Sequence, residues 1–100
     1  MVRHIITWKL KDSFSEEEKQ QVKQGIKEGL EGLLGQIPGL LEIHVYTDGL
    51  ASSTADLMLD STFTDEAAYK GYKTHPTHVA VADGKVRPNV AVRLCMDFEC

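Results

Sequence analysis

Tyr72 and His78 carry the most readable chemistry of this chain. An imidazole titrates near ~6.5 when unperturbed, so His78 could take a proton from an activated C–H. The phenol of Tyr72 could donate a hydrogen bond to a carbonyl oxygen as negative charge builds on it. The dipeptide His75-Pro76 lies between them and breaks a helix, because the residue before proline is pushed out of the α region. That break could turn His78 back toward Tyr72. His4 alternates with Ile6 and Trp8 on the apolar face of an N-terminal strand and would project into the same space. Asp97 could orient His78 by accepting from its second ring nitrogen, although alternation points Asp97 away from Met96 and Phe98.

These residues define the expected site. Tyr72 and His78 are the catalytic candidates, and His4, Trp8, Tyr72, His75 and His78 are the ligand-binding candidates. Each also has a purely structural reading. His4 could be a neutral core histidine and Tyr72 a core aromatic with its hydroxyl outward. His75 suits a helix break and cap, and Trp8 and Tyr69 suit core packing. No metal site is expected, since Pro76 disturbs the helical geometry that would align His75 with His78. No nucleotide, flavin or metal motif is visible, so no cofactor is expected.

The elements that must position these groups follow from periodicity. Val2 to Lys11 alternates as a strand, with Val2, His4, Ile6, Trp8 and Leu10 on one face. Ser15-Glu16-Glu17-Glu18 is a capping box and opens a helix. Its stripe of Val22, Ile26, Leu30, Leu33 and Ile37 runs to a stop at Pro38-Gly39. Four glycines, Gly25, Gly29, Gly32 and Gly35, weaken that helix; they could leave space for a ligand or a close neighbour, but tolerated drift is the favoured reading. Leu41 to Asp48 alternates again, with Leu41, Ile43 and Val45 inward. Ala55 to Thr64 forms a third strand. Thr64-Asp65-Glu66 starts a second helix through Tyr69 and Tyr72, and Pro76 starts a short third one ending near Asp83 and closed by Gly84. Asn89 to Glu99 is the last strand, and its more apolar face of Val90, Val92, Leu94, Met96 and Phe98 is expected against the helices. The order βαββαβ predicts an α+β, ferredoxin-like domain over residues 1–100, a four-stranded antiparallel sheet with its helices on one face. The other sheet face, with Ile5, Thr7, His44, Tyr46, Met58, Thr62, Ala91 and Cys95, is too apolar for solvent. A twofold homodimer through that face, a dimeric α/β barrel, is expected.

The 100 residues carry 11 Lys and Arg against 15 Asp and Glu, a net charge of -4. Such a balance offers no footprint for nucleic acid, and no apolar run nears the ~20 residues that span a membrane. Cys95 and Cys100 lie too far apart on one strand to bridge, and two free thiols suit a reducing compartment, so a cytoplasmic location is expected.

The opening VRHIITWKLKD, the helix start SEEEKQQV, the IPGL turn and above all Tyr72-Lys73-Thr74-His75-Pro76-Thr77-His78 resemble the stress-responsive A/B barrel (Dabb) family along essentially the whole chain. The resemblance implies the dimeric barrel. It does not fix one function, because members range from stress-associated proteins to a cofactor-free plant polyketide cyclase. Similarity to that cyclase implies functional roles for Tyr72 and His78, with His4 and Asp97 at matching places. Leu57 departs from it, standing where the cyclase has a histidine. The chain is therefore expected to bind a small apolar or carbonyl-containing molecule between helices and sheet. The alternatives are a cyclase or lyase with His78 as base and Tyr72 as donor, and a structural stress protein that acts through its assembly.

Overall fold

Strict alternation in the first segment produces strand β1, Val2–Leu10, in the computed structural model, which describes all residues 1–100. Val2, His4, Ile6, Trp8 and Leu10 are buried on one side of it. Helix α1, Glu16–Glu31, starts with the expected capping box: Ser15 Oγ accepts from the Glu18 N–H at 3.1 Å, and Glu18 Oε1 accepts from the Ser15 N–H at 2.9 Å. It ends earlier than its apolar stripe. Beyond Gly32 the bonds tighten to the i−3 pattern, Leu33 N–H to Leu30 and Leu34 N–H to Glu31. Leu33 and Ile37 still reach the core, from turns rather than from helix.

Strands β2, Leu40–Tyr46, and β3, Leu57–Phe63, follow. Between them and α1 lies the IPGL turn, which requires a glycine. Gly39 has φ of +81°, and a Cβ there would sit 2.4 Å from the Cβ of Ala68. The expected inward set of β2 is corrected at its first member. A register shift between Leu40 and Glu42 buries Leu40 and leaves Leu41 exposed, while Ile43 and Val45 point inward as expected.

Helix α2, Glu66–Thr74, is capped by Asp65, whose Oδ1 accepts from the Ala68 N–H at 2.8 Å. Helix α3, Pro76–Val81, has proline in its first turn. Gly84 does not end the helical run. The chain passes through a π turn, Ala82–Val86, and a 3-10 turn, Arg87–Asn89, before β4, Val90–Glu99. The wider π turn buries both Ala82 and Val86. Helix α1 approaches α3 so closely that a Cβ on Gly29 would lie 2.9 Å from Val81 Cγ1. The space left by that glycine is taken by a neighbouring helix.

The four strands form one antiparallel sheet in the order β2-β3-β1-β4. The helices cover one face, as a ferredoxin-like fold requires. Val90 packs on the core as expected, but beyond the register shift beside it strand β4 is oriented opposite to expectation. Its partners across β1 are His4 to Asp97, Ile6 to Cys95 and Trp8 to Arg93. Directly paired residues share a face, so Arg93, Cys95 and Asp97 face the helices. Val92, Leu94, Met96 and Phe98 instead join Ile5 and Thr7 on the outer face, with Leu94 70% and Met96 68% exposed. Alternation within β4 separates two faces, but only its pairing with β1 decides which one turns inward.

Candidate functional site

The site is assembled around the Tyr72 ring. Tyr72 is on the buried side of α2, 1% exposed, with its ring 5.0 Å from that of Phe63. The turn at His75-Pro76 brings α3 back so that the His78 and Tyr72 ring centroids stand 4.0 Å apart at 31°. From the sheet, His4 approaches Tyr72 edge-on at 6.1 Å and Tyr69 at 4.7 Å. His4, Trp8, Tyr72 and His78 all line one cavity of about 350 Å³ between helices and sheet. His75 is not on its wall. Its Nδ1 accepts from the Thr77 N–H at 3.2 Å and caps α3, which is the structural reading of that residue.

The two cavity histidines, His4 and His78, are each held in one tautomer. His4 Nδ1 donates to Asp97 Oδ1, so the expected partnership of Asp97 with His78 is corrected: Asp97 orients His4, its cross-strand partner. His78 Nδ1 lies 3.4 Å from the Lys73 carbonyl, which can only accept. In both rings Nε2 therefore carries the free lone pair. The hydroxyl of Tyr72 is buried and has no hydrogen-bond partner.

Electrostatics keep these groups neutral near pH 7. Burial lowers the pKa of His4 and outweighs the opposing pull of Asp97. Burial also lowers that of His78, and the charge of His4 would act in the same direction. Burial raises the Tyr72 phenol far above its ordinary value. Burial works against the Asp97 carboxylate, but hydrogen bonds from His4 and Tyr69 hold it below the usual range. Cys95 Sγ lies 3.6 Å from His4 Nδ1 and 3.4 Å from Asp97 Oδ1, and its thiol is pushed up by burial and then by Asp97. These three donors are the one His/Cys/Asp/Glu group close enough to share a metal ion. The direct His4–Asp97 hydrogen bond makes them a dyad with an adjacent thiol. Two neutral imidazoles and one protonated phenol on an apolar wall can accept a proton from a bound molecule and donate a hydrogen bond to its oxygen.

Sequence reasoning missed the cations of the cavity wall, Lys73, Arg87 and Arg93. Arg93 escaped because its inward direction comes from the β1–β4 register, which alternation within the strand does not reveal. Lys73 and Arg87 depend on the packing of α2 and the final turn, which carries no periodic signal.

The whole domain has relatives among solved structures. A dimeric protein of unknown function with a ferredoxin-like fold from Bacteroides fragilis is 33% identical, covering 99% of this chain and 95% of that one with a TM-score of 0.91. A Dabb family protein with a ferredoxin-like fold from Mesorhizobium loti is 24% identical over 99% and 95% of the two chains, with a TM-score of 0.75. A hydroxynitrile lyase from Passiflora edulis is 19% identical over 97% and 90%, with a TM-score of 0.72, and shares the fold. Among curated proteins, none matches the chain. No helix is long and apolar enough to cross a membrane. Residues 2–100 match the Stress Responsive A/B Barrel Domain, and the chain belongs to that family, Dabb.

Proposed function

We propose that this domain binds a small apolar molecule carrying a carbonyl group in the cavity beneath α2 and α3, and does so as a homodimer joined through the outer sheet face. The observation that supports the ligand is the Tyr72 hydroxyl, buried at the cavity wall without a partner. A buried donor left unpaired costs about 1–3 kcal/mol, so the group calls for a partner, and a ligand oxygen would supply one. The hydroxyl is covered, so an acceptor reaches it when a wall side chain moves aside. Half-buried His78, on the short helix α3, is the neighbour best placed to move. The dimer reading is supported by the apolar row Val92, Leu94, Met96 and Phe98 on the outer face and by the dimeric state of the Bacteroides fragilis relative.

Trp8, the single tryptophan, lies on the cavity wall and reports binding. Titration with hexanophenone is expected to change its fluorescence saturably. Ala82→Phe, which fills the cavity from the π turn, is expected to abolish the change while circular dichroism stays native. Equal binding by this variant would place the ligand elsewhere.

A second reading is a cofactor-free cyclase or lyase, in which Tyr72 holds the carbonyl oxygen and His78 removes the neighbouring proton. It is favoured by the fixed tautomer of His78, whose Nε2 is left as an acceptor beside Tyr72. Exchange of α-protons of a bound aryl ketone in D2O is then expected to be faster than in buffer and to be lost in His78→Ala. Exchange at the buffer rate with wild-type protein would rule this reading out.

A further inference from the structure

We infer that the ligand of this cavity is an amphipathic anion, an apolar body carrying a carboxylate. The inference deepens the proposed function and rests on the cavity being a ligand site.

The chain holds 15 Asp and Glu against 11 Lys and Arg, so a patch of surface taken without selection would carry more acid than base. The cavity wall reverses that balance. Of its 15 residues, Lys73, Arg87 and Arg93 are cationic and none is acidic. These cations come from three separate parts of the fold: the end of α2, the 3-10 turn and strand β4. Their convergence is therefore a property of the folded site and of no single run of sequence.

Two of the three lack a counter-charge. Arg87 is paired with Asp83, but neither Lys73 nor Arg93 pairs with any carboxylate. Lys73 Nζ instead lies 5.3 Å from the Tyr69 ring centroid, over an aromatic face. Asp97, on the same sheet face as Arg93, is occupied by His4. Ten of the lining residues are hydrophobic, among them Ile6, Leu30 and Leu59 at the sheet and α1 side. The site thus has an apolar floor and a cationic rim. A guanidinium such as Arg93 suits a carboxylate, because its planar donors match two oxygens at once. The volume of about 350 Å³ holds one modest ligand body.

The test compares 6-phenylhexanoate with its neutral isostere 6-phenylhexanamide, each titrated into the full-length protein with Trp8 fluorescence as readout. The acid is expected to bind about tenfold tighter than the amide at low salt, and the gap should narrow as salt screens the rim. Arg93→Gln and Lys73→Gln are each expected to weaken the acid several-fold more than the amide, closing the gap between them, with native circular dichroism serving as proof of an intact fold. Equal affinity for acid and amide would overturn the inference and leave the ligand site standing. A gap untouched by both variants would also overturn it. Binding of neither probe would remove the ligand site itself, and this inference with it.

Discussion

Replacing Tyr72 by phenylalanine should move stability and binding in opposite directions. The substitution removes one hydroxyl and keeps the ring, so contacts with Phe63 at 5.0 Å and His78 at 4.0 Å persist. In the free protein the hydroxyl is buried and unpaired. Its desolvation costs about 1–3 kcal/mol in the folded state and nothing in the unfolded chain, where water satisfies it. Removing it should recover roughly 1 kcal/mol, the rest being lost to the small void left behind. For a domain of this size that corresponds to a rise of about 4–8 °C in Tm. In the proposed complex the same hydroxyl would donate to the ligand oxygen. Its loss should cost about 0.5–1.5 kcal/mol, or roughly 2- to 10-fold in Kd. Urea unfolding without ligand and fluorescence titration with hexanophenone measure the two halves. If Tyr72→Phe destabilises the free protein by 1 kcal/mol or more, the hydroxyl is bonded before any ligand arrives and the reasoning fails. A stabilised variant with unchanged affinity would retain the orphan donor and remove its role in recognition.

Acid should weaken the fold in two steps. His4 and His78 have folded pKa values below their unfolded value, so the unfolded chain binds their protons first. Stability should begin to fall as pH drops through about 6.5. Asp97 is held below its unfolded value, so its contribution is present above about pH 4 and fades below it. Urea midpoints at a series of pH values check both steps, and His78→Gln should shrink the first alone. Leu94→Lys, on a side chain 70% exposed in the protomer, should give monomers by sedimentation with native circular dichroism; a persisting dimer would place the interface elsewhere. Gly29→Ala would ordinarily gain about 1 kcal/mol of helix propensity. Here it should destabilise, because its Cβ would meet Val81 Cγ1 at 2.9 Å, and adding Val81→Ala should restore the gain in urea unfolding.

Much of the fold was legible because its signals are local. The capping box at Ser15, the cap at Asp65 and the proline at the start of α3 each act within one turn of chain. The gathering of Tyr72 and His78 was legible for the same reason, since the break at His75-Pro76 lies between them. What failed was non-local. The faces of β4 were reversed because hydrophobicity within a strand identifies two sides without naming the one that meets the helices. The register with β1 settles that, and it moves Asp97 from His78 to His4. Leu41 was misplaced by the register shift beside Leu40, and Gly84 failed as a stop because a π turn carries the chain past it.

Strand β4 has a wider consequence. Within the protomer it is an edge strand, bonded only to β1, yet its alternate residues serve two purposes. Val92, Leu94 and Met96 face outward where a second subunit would lie, while Arg93, Cys95 and Asp97 face the helix side, Arg93 on the cavity wall and Asp97 bonded to His4. A subunit docking on the outer row would steady the same backbone that aims the inner row. Ligand affinity should then depend on protein concentration through mass action, and by reciprocity a bound ligand should tighten the dimer by the same factor.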